Sequence, residues 1–362
     1  MASAALMPLV EAIALLTGHI AVVPARAVSL SEAVGRIAGR DIISERDEPV
    51  RAIALRDGWA VRADDVLGAS PDAPILLAHA LAWVESGAAI PEGTDAVVPP
   101  EALVGRTIIA DASAREGTRS TGEEIAAGTC LVPAGRRITP LHCLALEAAG
   151  ILEVPVRVPC VRLVVTGSHE PDSVSTLIAN LAISEGAAIT DRVAVAATPE
   201  AIAVALRTPG ADATLVLGGT GFGRGDQSAD GLARAGSVHA HGIALRPGGT
   251  TAFGEVGGRP VLLLPGRPDA ALSAFLTLGR PLLAALAGAT ASLPARAALS
   301  RKITSTIGLS EIVFARREQD AILPLGGADL PLHRLIEADA AILVAPQAEG
   351  YPAGTPVEVL SL

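Results

Sequence analysis

Between residues 159 and 287 the chain alternates short apolar runs with amphipathic helical ones, and this alternation restricts the fold more than any other feature. The runs at 161–165, 213–217 and 261–264 are strand-like and almost continuously apolar. Residues 173–185, 199–207, 227–235 and 268–287 carry helical periodicity, and 187–195 reads as strand and loop. Strands without a polar face, separated by helices, predict a parallel sheet covered on both sides. Ligands on such sheets bind at the carboxyl ends of the strands. Three loops leave those ends: TGSHE (166–170), GGTGFGRGD (218–226) and LPGRP (264–268). They follow three different strands, so the expectation is that they converge on one pocket.

The rest of the chain has a different grain. Residues 8–18 and 29–40 have helical spacing, with Ser29 or Ser31 as candidate caps. From 44 to 126 short strand-like pieces at 75–82, 96–98 and 107–110 lie between Gly, Pro and charged turns. Residues 139–149 return to a helix, capped by Thr139, opened by Pro140 and stopped by Gly150. After it, 288–298 reads as a linker. Residues 299–362 read as a small β domain, with runs at 311–315, 341–344 and 357–360 and no helix of length.

Composition narrows the function. The 362 residues suggest two or three domains, and the formal charge is −10 with Lys302 as the single lysine. No basic tract exists, which argues against nucleic acid or an anionic membrane as partner. Cys130, Cys143 and Cys160 form no C-x-x-C pair and fit reduced thiols, so a cytoplasmic setting is expected. The apolar start lacks a basic n-region and is broken by Glu11, so it reads as an amphipathic helix. No uninterrupted run reaches membrane-spanning length.

The candidate motifs are individually modest. The glycine loop lacks the Lys-Ser/Thr of a nucleotide-triphosphate cradle, and no three of its glycines have G-x-G-x-x-G spacing. What it offers is backbone that can approach a ligand closely, followed by a helix N-terminus. Asp226 either complements that helix dipole or holds a divalent cation beside a phosphate. Arg246, in LRPGGTTAFG, is either a solvated side chain or a fork for phosphate. LPGRP places Pro268 at the start of a helix, which is either plain punctuation or an anion site. Asp57 in RDGWAVRADD can close a turn, and Glu123 and Glu124 in STGEEIAAG can be solvated acids or site acids. His169 and Glu170 follow a buried strand without a second histidine at metal spacing.

In this order, DGWAV, RSTGEEIAAGTCLVPAGRRITPLHCLALEAAGI, the strand ending in TG, LGGTGFGRGD, LRPGGTTAFG and LPGRPDAALSAF resemble the molybdopterin molybdenumtransferases, the MoeA family, also found as the E domain of gephyrin. MPLVEAIALLTGHI and LSEAVGRIAGRDI fit as well, so the resemblance runs almost the whole chain and is weakest after about 295. It implies an α/β multidomain fold. A helical and extended domain I would comprise 1–43 and 127–158, and an inserted β domain 44–126. An α/β molybdopterin-binding domain with a parallel-rich sheet would span 159–290, and a C-terminal β domain 291–362. It further implies an elongated homodimer whose active site lies between the α/β domain of one subunit and the inserted domain of the other. The implied reaction hydrolyses adenylylated molybdopterin and inserts molybdate with Mg²⁺. The alternative is a non-catalytic carrier of molybdopterin or finished cofactor serving a molybdoenzyme client.

Carried onto this sequence, the resemblance makes Asp57, Glu124, Asp226 and Arg246 the catalytic candidates. It makes Asp226 and Glu170 the metal candidates. Thr166, Gly167, Ser168, Gly218, Gly219, Thr220, Gly221, Pro247, Gly248, Pro265, Gly266, Arg267 and Pro268 become the pterin- and phosphate-binding candidates. The chain departs from the family pattern at these points: GEE for GED, TGSHE for TGDEL, Gly221 for Ser in GGxSxGxxD, RPGGT for KPGKP and LPGRP for LPGNP.

Overall fold

The computed structural model describes residues 6–167, 172–291 and 294–362. Its central sheet has six strands: β1 (Cys160–Thr166), β2 (Ala188–Val195), β3 (Ala213–Leu217), β4 (Ser237–His241), β5 (Ala252–Val256) and β6 (Arg259–Leu264). They lie in the order β2-β1-β3-β6-β5-β4. The first four run parallel; β5 runs antiparallel to β6, and β4, at the edge, antiparallel to β5. Four helices cover the sheet: α1 (Ser173–Ser184), α2 (Pro199–Arg207), α3 (Ser228–Ala235) and α4 (Pro268–Ala287).

Strand alternation sorts the core into two faces. Val161, Leu163, Val165, Leu215 and Leu217 face one way, against Val174, Ile178 of α1 and Ala271, Phe275 of α4. Val164, Val216 and Leu263 face the other, against Ile202 and Leu206 of α2 and Leu232 of α3. All five residues of β3 are buried, as a strand sandwiched between two helical layers must be. The apolar length of α4 is explained the same way, because it is a core helix. A π-helical segment, Phe275–Gly279, interrupts it.

The chain leaves β1 for β2 on one side and then crosses to β3 on the other. The switch point of the sheet therefore lies between the carboxyl ends of β1 and β3, where a crevice opens on such sheets.

Elsewhere short ladders dominate. Ala25–Ser29 and Ile37–Ala38 flank Glu153–Arg157 in an antiparallel sheet. Gly58–Val61 pairs with Ala82–Val84 and Ala96–Val98, which brings Trp59 opposite Trp83 in an edge-to-face contact of 5.2 Å. In the C-terminal part, Ser310–Arg317 pairs with both Ala321–Gly326 and Ala340–Val344. Ala295–Leu299 and Pro356–Ser361 complete the ring, closing five strands into a small barrel.

Three expectations need correction. The helix expected over 29–40 is one turn, Leu30–Ala33. Gly35 takes φ +82°, which a helix cannot continue through, and Ile37–Ala38 is claimed by the ladder to Val156 and Arg157. The strand and loop expected over 187–195 is a single eight-residue strand, Ala188–Val195, because β1 pairs with it from end to end around one register shift at Thr190. The linker expected over 288–298 contains the start of the barrel strand Ala295–Leu299. The helix at 139–149 forms as Pro140–Ala148, with the Thr139 hydroxyl accepting from the His142 N–H.

Candidate functional site

The three loops meet. Thr166, at the end of β1, donates its hydroxyl to the Leu217 carbonyl at 3.1 Å, tying the first loop to the second. The Gly218 N–H donates to Leu264 O at 3.0 Å, tying the second to the third. Gly266 approaches so closely that a Cβ there would lie 3.5 Å from the Gly218 Cα. Gly167 donates to Val195 at the end of β2. A fourth loop joins them: the Thr220 and Thr250 hydroxyls are 3.1 Å apart, so Pro247 and Gly248 sit beside the same crevice. Gly248 also abuts the first turn of α4 through Ala270 O. Ser168, His169 and Glu170, the middle of the first loop, lie outside the described residues.

The glycine loop is braced from within. Gly219 has φ +64°, and a side chain there would run into the Ser228 hydroxyl at 2.9 Å. Ser228 opens α3 and donates its hydroxyl to Gly218 O and its N–H to Gly219 O. Those bonds use up hydroxyls and carbonyls. The N–H groups of Gly219, Thr220 and Gly221 donate to no acceptor among the described residues. Amides without an acceptor among the described residues, at the mouth of a parallel sheet and just ahead of a helix N-terminus, are donors of the kind that can hold an oxyanion.

Asp226 closes this loop on itself. Its Oδ2 accepts from the Gly223 N–H at 2.9 Å, filling the space that side chains at 221 and 223 would need. His241 hydrogen-bonds the Thr220 carbonyl through Nε2 at 2.9 Å.

The other candidates are placed as follows. Asp57 lies in the small β unit, where its Oδ1 accepts from the Ser86 N–H at 2.8 Å. Glu124 pairs with Arg119 in the same unit. Its neighbour Glu123 pairs with Arg115, and the Ser120 N–H, with help from that arginine, holds its carboxyl below the ordinary range. The described partners of Asp57 and Glu124 thus lie within residues 86–119 and not at the glycine loop. Among the described residues no three His, Cys, Asp or Glu side chains cluster as a metal cage.

Arg267 is committed elsewhere. It pairs with Asp269 at 3.0 Å and with Asp329 of the C-terminal part at 2.7 Å. Asp329 and Asp269 raise the guanidinium pKa further. Asp269 is buried and also accepts from the Asp329 N–H. Arg267 therefore fastens the LPGRP turn to the barrel in place of presenting a free fork to a ligand, while Pro265 and Pro268 shape the turn.

Arg246 faces a pocket that sequence reading missed. The strand Leu245–Arg246 is paired with the barrel strand Ser310–Arg317, opposite Ser310 and Glu311. Arg246 consequently lines an open pocket of about 490 Å³ together with Arg301 and Lys302. None of these three cations forms an ion pair among the described residues. Glu311 also lines the pocket, buried, with its Oε2 accepting from Ser305. Three cations against one carboxylate leave a net positive site. The signal for it lay in the sequence as the lone lysine, but its proximity to Arg246 depends on a barrel ladder between residues 65 positions apart.

The chain is similar to known proteins along almost its whole length. Residues 7–150 match the model of the MoeA N-terminal region (domain I and II). Residues 161–285 match one described as "Probable molybdopterin binding domain". A Mycobacterium tuberculosis protein named molybdopterin molybdenumtransferase 2 is 30% identical over 303 residues, covering 70% of this chain and 73% of that one. The molybdopterin molybdenumtransferase of Synechococcus elongatus is 29% identical over 399 residues, with 97% and 98% covered. A crystal structure of a molybdopterin biosynthesis MoeA protein from Pyrococcus horikoshii superposes with a TM-score of 0.81 at 23% identity, covering 99% of this chain and all of that one.

Proposed function

The chain belongs to the MoeA family, and on that premise we propose that it is a molybdopterin molybdenumtransferase of cofactor biosynthesis, inserting molybdate into adenylylated molybdopterin. The observation that carries the reading is the convergence of the loops after β1, β3 and β6 on one crevice with free amide donors. The cradle of Gly219, Thr220 and Gly221 would hold the substrate phosphate, with Thr166, Gly167, Gly218 and Gly266 as the floor. The Arg246, Arg301 and Lys302 pocket would hold a tetrahedral oxyanion. Three cations suit a dianion such as molybdate, and they stabilise charge best where water is partly excluded.

The described residues offer Mg²⁺ one carboxylate, Asp226. That fits an ion held largely by substrate phosphate oxygens and water, the usual arrangement for this metal. Mg²⁺ would neutralise charge on the phosphoanhydride as AMP leaves. The test is to incubate the purified protein with adenylylated molybdopterin, Mg²⁺ and molybdate, then follow AMP release and reconstitution of a molybdenum-free apoenzyme. Both should rise together. Tight pterin binding without AMP would move the protein to the carrier reading, which the inward fold of Asp226 favours.

In the arrangement that the family resemblance implies, Asp57 and Glu124 join such a site from a second subunit, so the proposal includes a homodimer. Support comes from Leu141 and Leu144, one turn apart on the helix Pro140–Ala148 and 76% and 66% exposed. Large apolar side chains paired on one helix face favour association. Leu144→Glu is expected to shift the sedimentation mass from dimer to monomer at micromolar concentration. A native protein that sediments as a monomer would remove the homodimer from the reading.

A further inference from the structure

The glycine loop carries at its tip a side chain that loop geometry does not need. Of the four phenylalanines, Phe253, Phe275 and Phe314 are fully buried, whereas Phe222 is 74% exposed. Its ring is nevertheless held in place. It stacks on His241 with centroids 4.9 Å apart and planes 28° from parallel. His241 is itself anchored by its Nε2 bond to the Thr220 carbonyl, and Thr220 is tied to Thr250. The result is a flat, two-ring stack, fixed on one side by hydrogen bonds and open on the other. It sits within three residues of the amides of Gly219, Thr220 and Gly221, which donate to no acceptor among the described residues. An anion cradle and an aromatic face on one nine-residue loop match a ligand that is a flat heteroaromatic ring joined to a phosphate. Aromatic faces bind such rings by stacking, with little demand on ring identity.

We infer that Phe222, backed by His241, is the stacking ledge on which the pterin ring lies. The inference rests on the molybdopterin reading above. His241 acts through Phe222 and is a positioning residue: it presents the ring at a fixed tilt. A leucine at 222 would cover His241 equally well, but it would offer no face.

The experiment measures equilibrium binding of two probes, adenylylated molybdopterin and AMP, to the full-length protein without Mg²⁺ or molybdate, so that nothing turns over. Phe222→Ala and Phe222→Leu should each weaken adenylylated molybdopterin roughly tenfold and abolish the quenching of pterin fluorescence. Phe222→Tyr should restore both, and AMP affinity should be the same in all four proteins. Native affinity in Phe222→Ala would overturn the ledge and leave the transferase reading standing. A parallel loss of AMP affinity would overturn it too, by assigning the ring to adenine. Failure of the folded native protein to bind adenylylated molybdopterin at all would sink the transferase reading, and the ledge with it.

Discussion

Arg246→Ala is expected to lower molybdate insertion about a hundredfold, with AMP release changed by no more than a few fold. The asymmetry follows from where Arg246 lies. It does not touch the glycine loop. It lines the pocket shared with Arg301 and Lys302 at the joint between the central sheet and the barrel. Removing one of three cations from this open pocket removes a charged donor to the anion; where bound substrate shields such a donor from water, its loss costs about 10²–10³ in rate. Because the loss is in anion binding, raising the molybdate concentration should recover much of it. Arg246→Lys should retain more activity than Ala, since a tetrahedral oxyanion needs positive charge more than it needs a planar fork. Arg301→Ala and Lys302→Ala should move the molybdate dependence in the same direction. Equal losses of AMP release and insertion, with no rescue by molybdate, would instead place Arg246 on the substrate phosphate. A molybdate dependence unchanged in all three variants would remove the pocket from the reaction.

The parts of this molecule that were legible in its sequence are those governed by local rules. Strands β1, β3 and β6 and helix α2 could be read because a doubly buried strand must be apolar throughout and a helix must repeat near 3.6 residues. The helix after Thr139 could be read because its hydroxyl cap and N1 proline are local chemistry. Residues 29–40 failed for the complementary reason. Their spacing is helical, but the backbone hydrogen bonds of Ile37 and Ala38 are taken by a strand more than a hundred residues later, and tertiary pairing overrides propensity. The site divides the same way. Loops at strand ends are placed by topology, so their convergence could be anticipated. What each side chain does there depends on partners remote in sequence: Asp329 for Arg267, the barrel for Arg246, Gly223 for the rotamer of Asp226. Phe222 gave no periodic signal at all. It is distinguished only by exposure, which a sequence does not carry.

Asp226→Asn separates the two roles that Asp226 can play. In the structure its carboxylate accepts from the Gly223 N–H at 2.9 Å, and its Oδ2 lies 2.5 Å from where a Cβ on Gly221 would be. The residue thus braces the loop over glycines that leave it room. An asparagine carbonyl accepts the same hydrogen bond with nearly the same shape, so the loop should keep its fold and stability should change by less than about 1 kcal/mol. What asparagine cannot do is bind a hard divalent cation as a charged ligand. If Asp226 turns outward to Mg²⁺ when substrate arrives, AMP release should fall about a hundredfold in the Asn variant and the Mg²⁺ requirement should rise. Asp226→Ala should lose the brace as well, and so lose substrate affinity in addition. Gly221→Ser provides the opposing test. A side chain at 221 occupies the carboxylate's inward position, so Asp226 must swing out, and the Mg²⁺ concentration for half-maximal AMP release should drop below that of the native protein. An Asn variant with native AMP release and an unchanged Mg²⁺ requirement would leave Asp226 as a loop brace alone, and the cation would then need a carboxylate from elsewhere in the dimer.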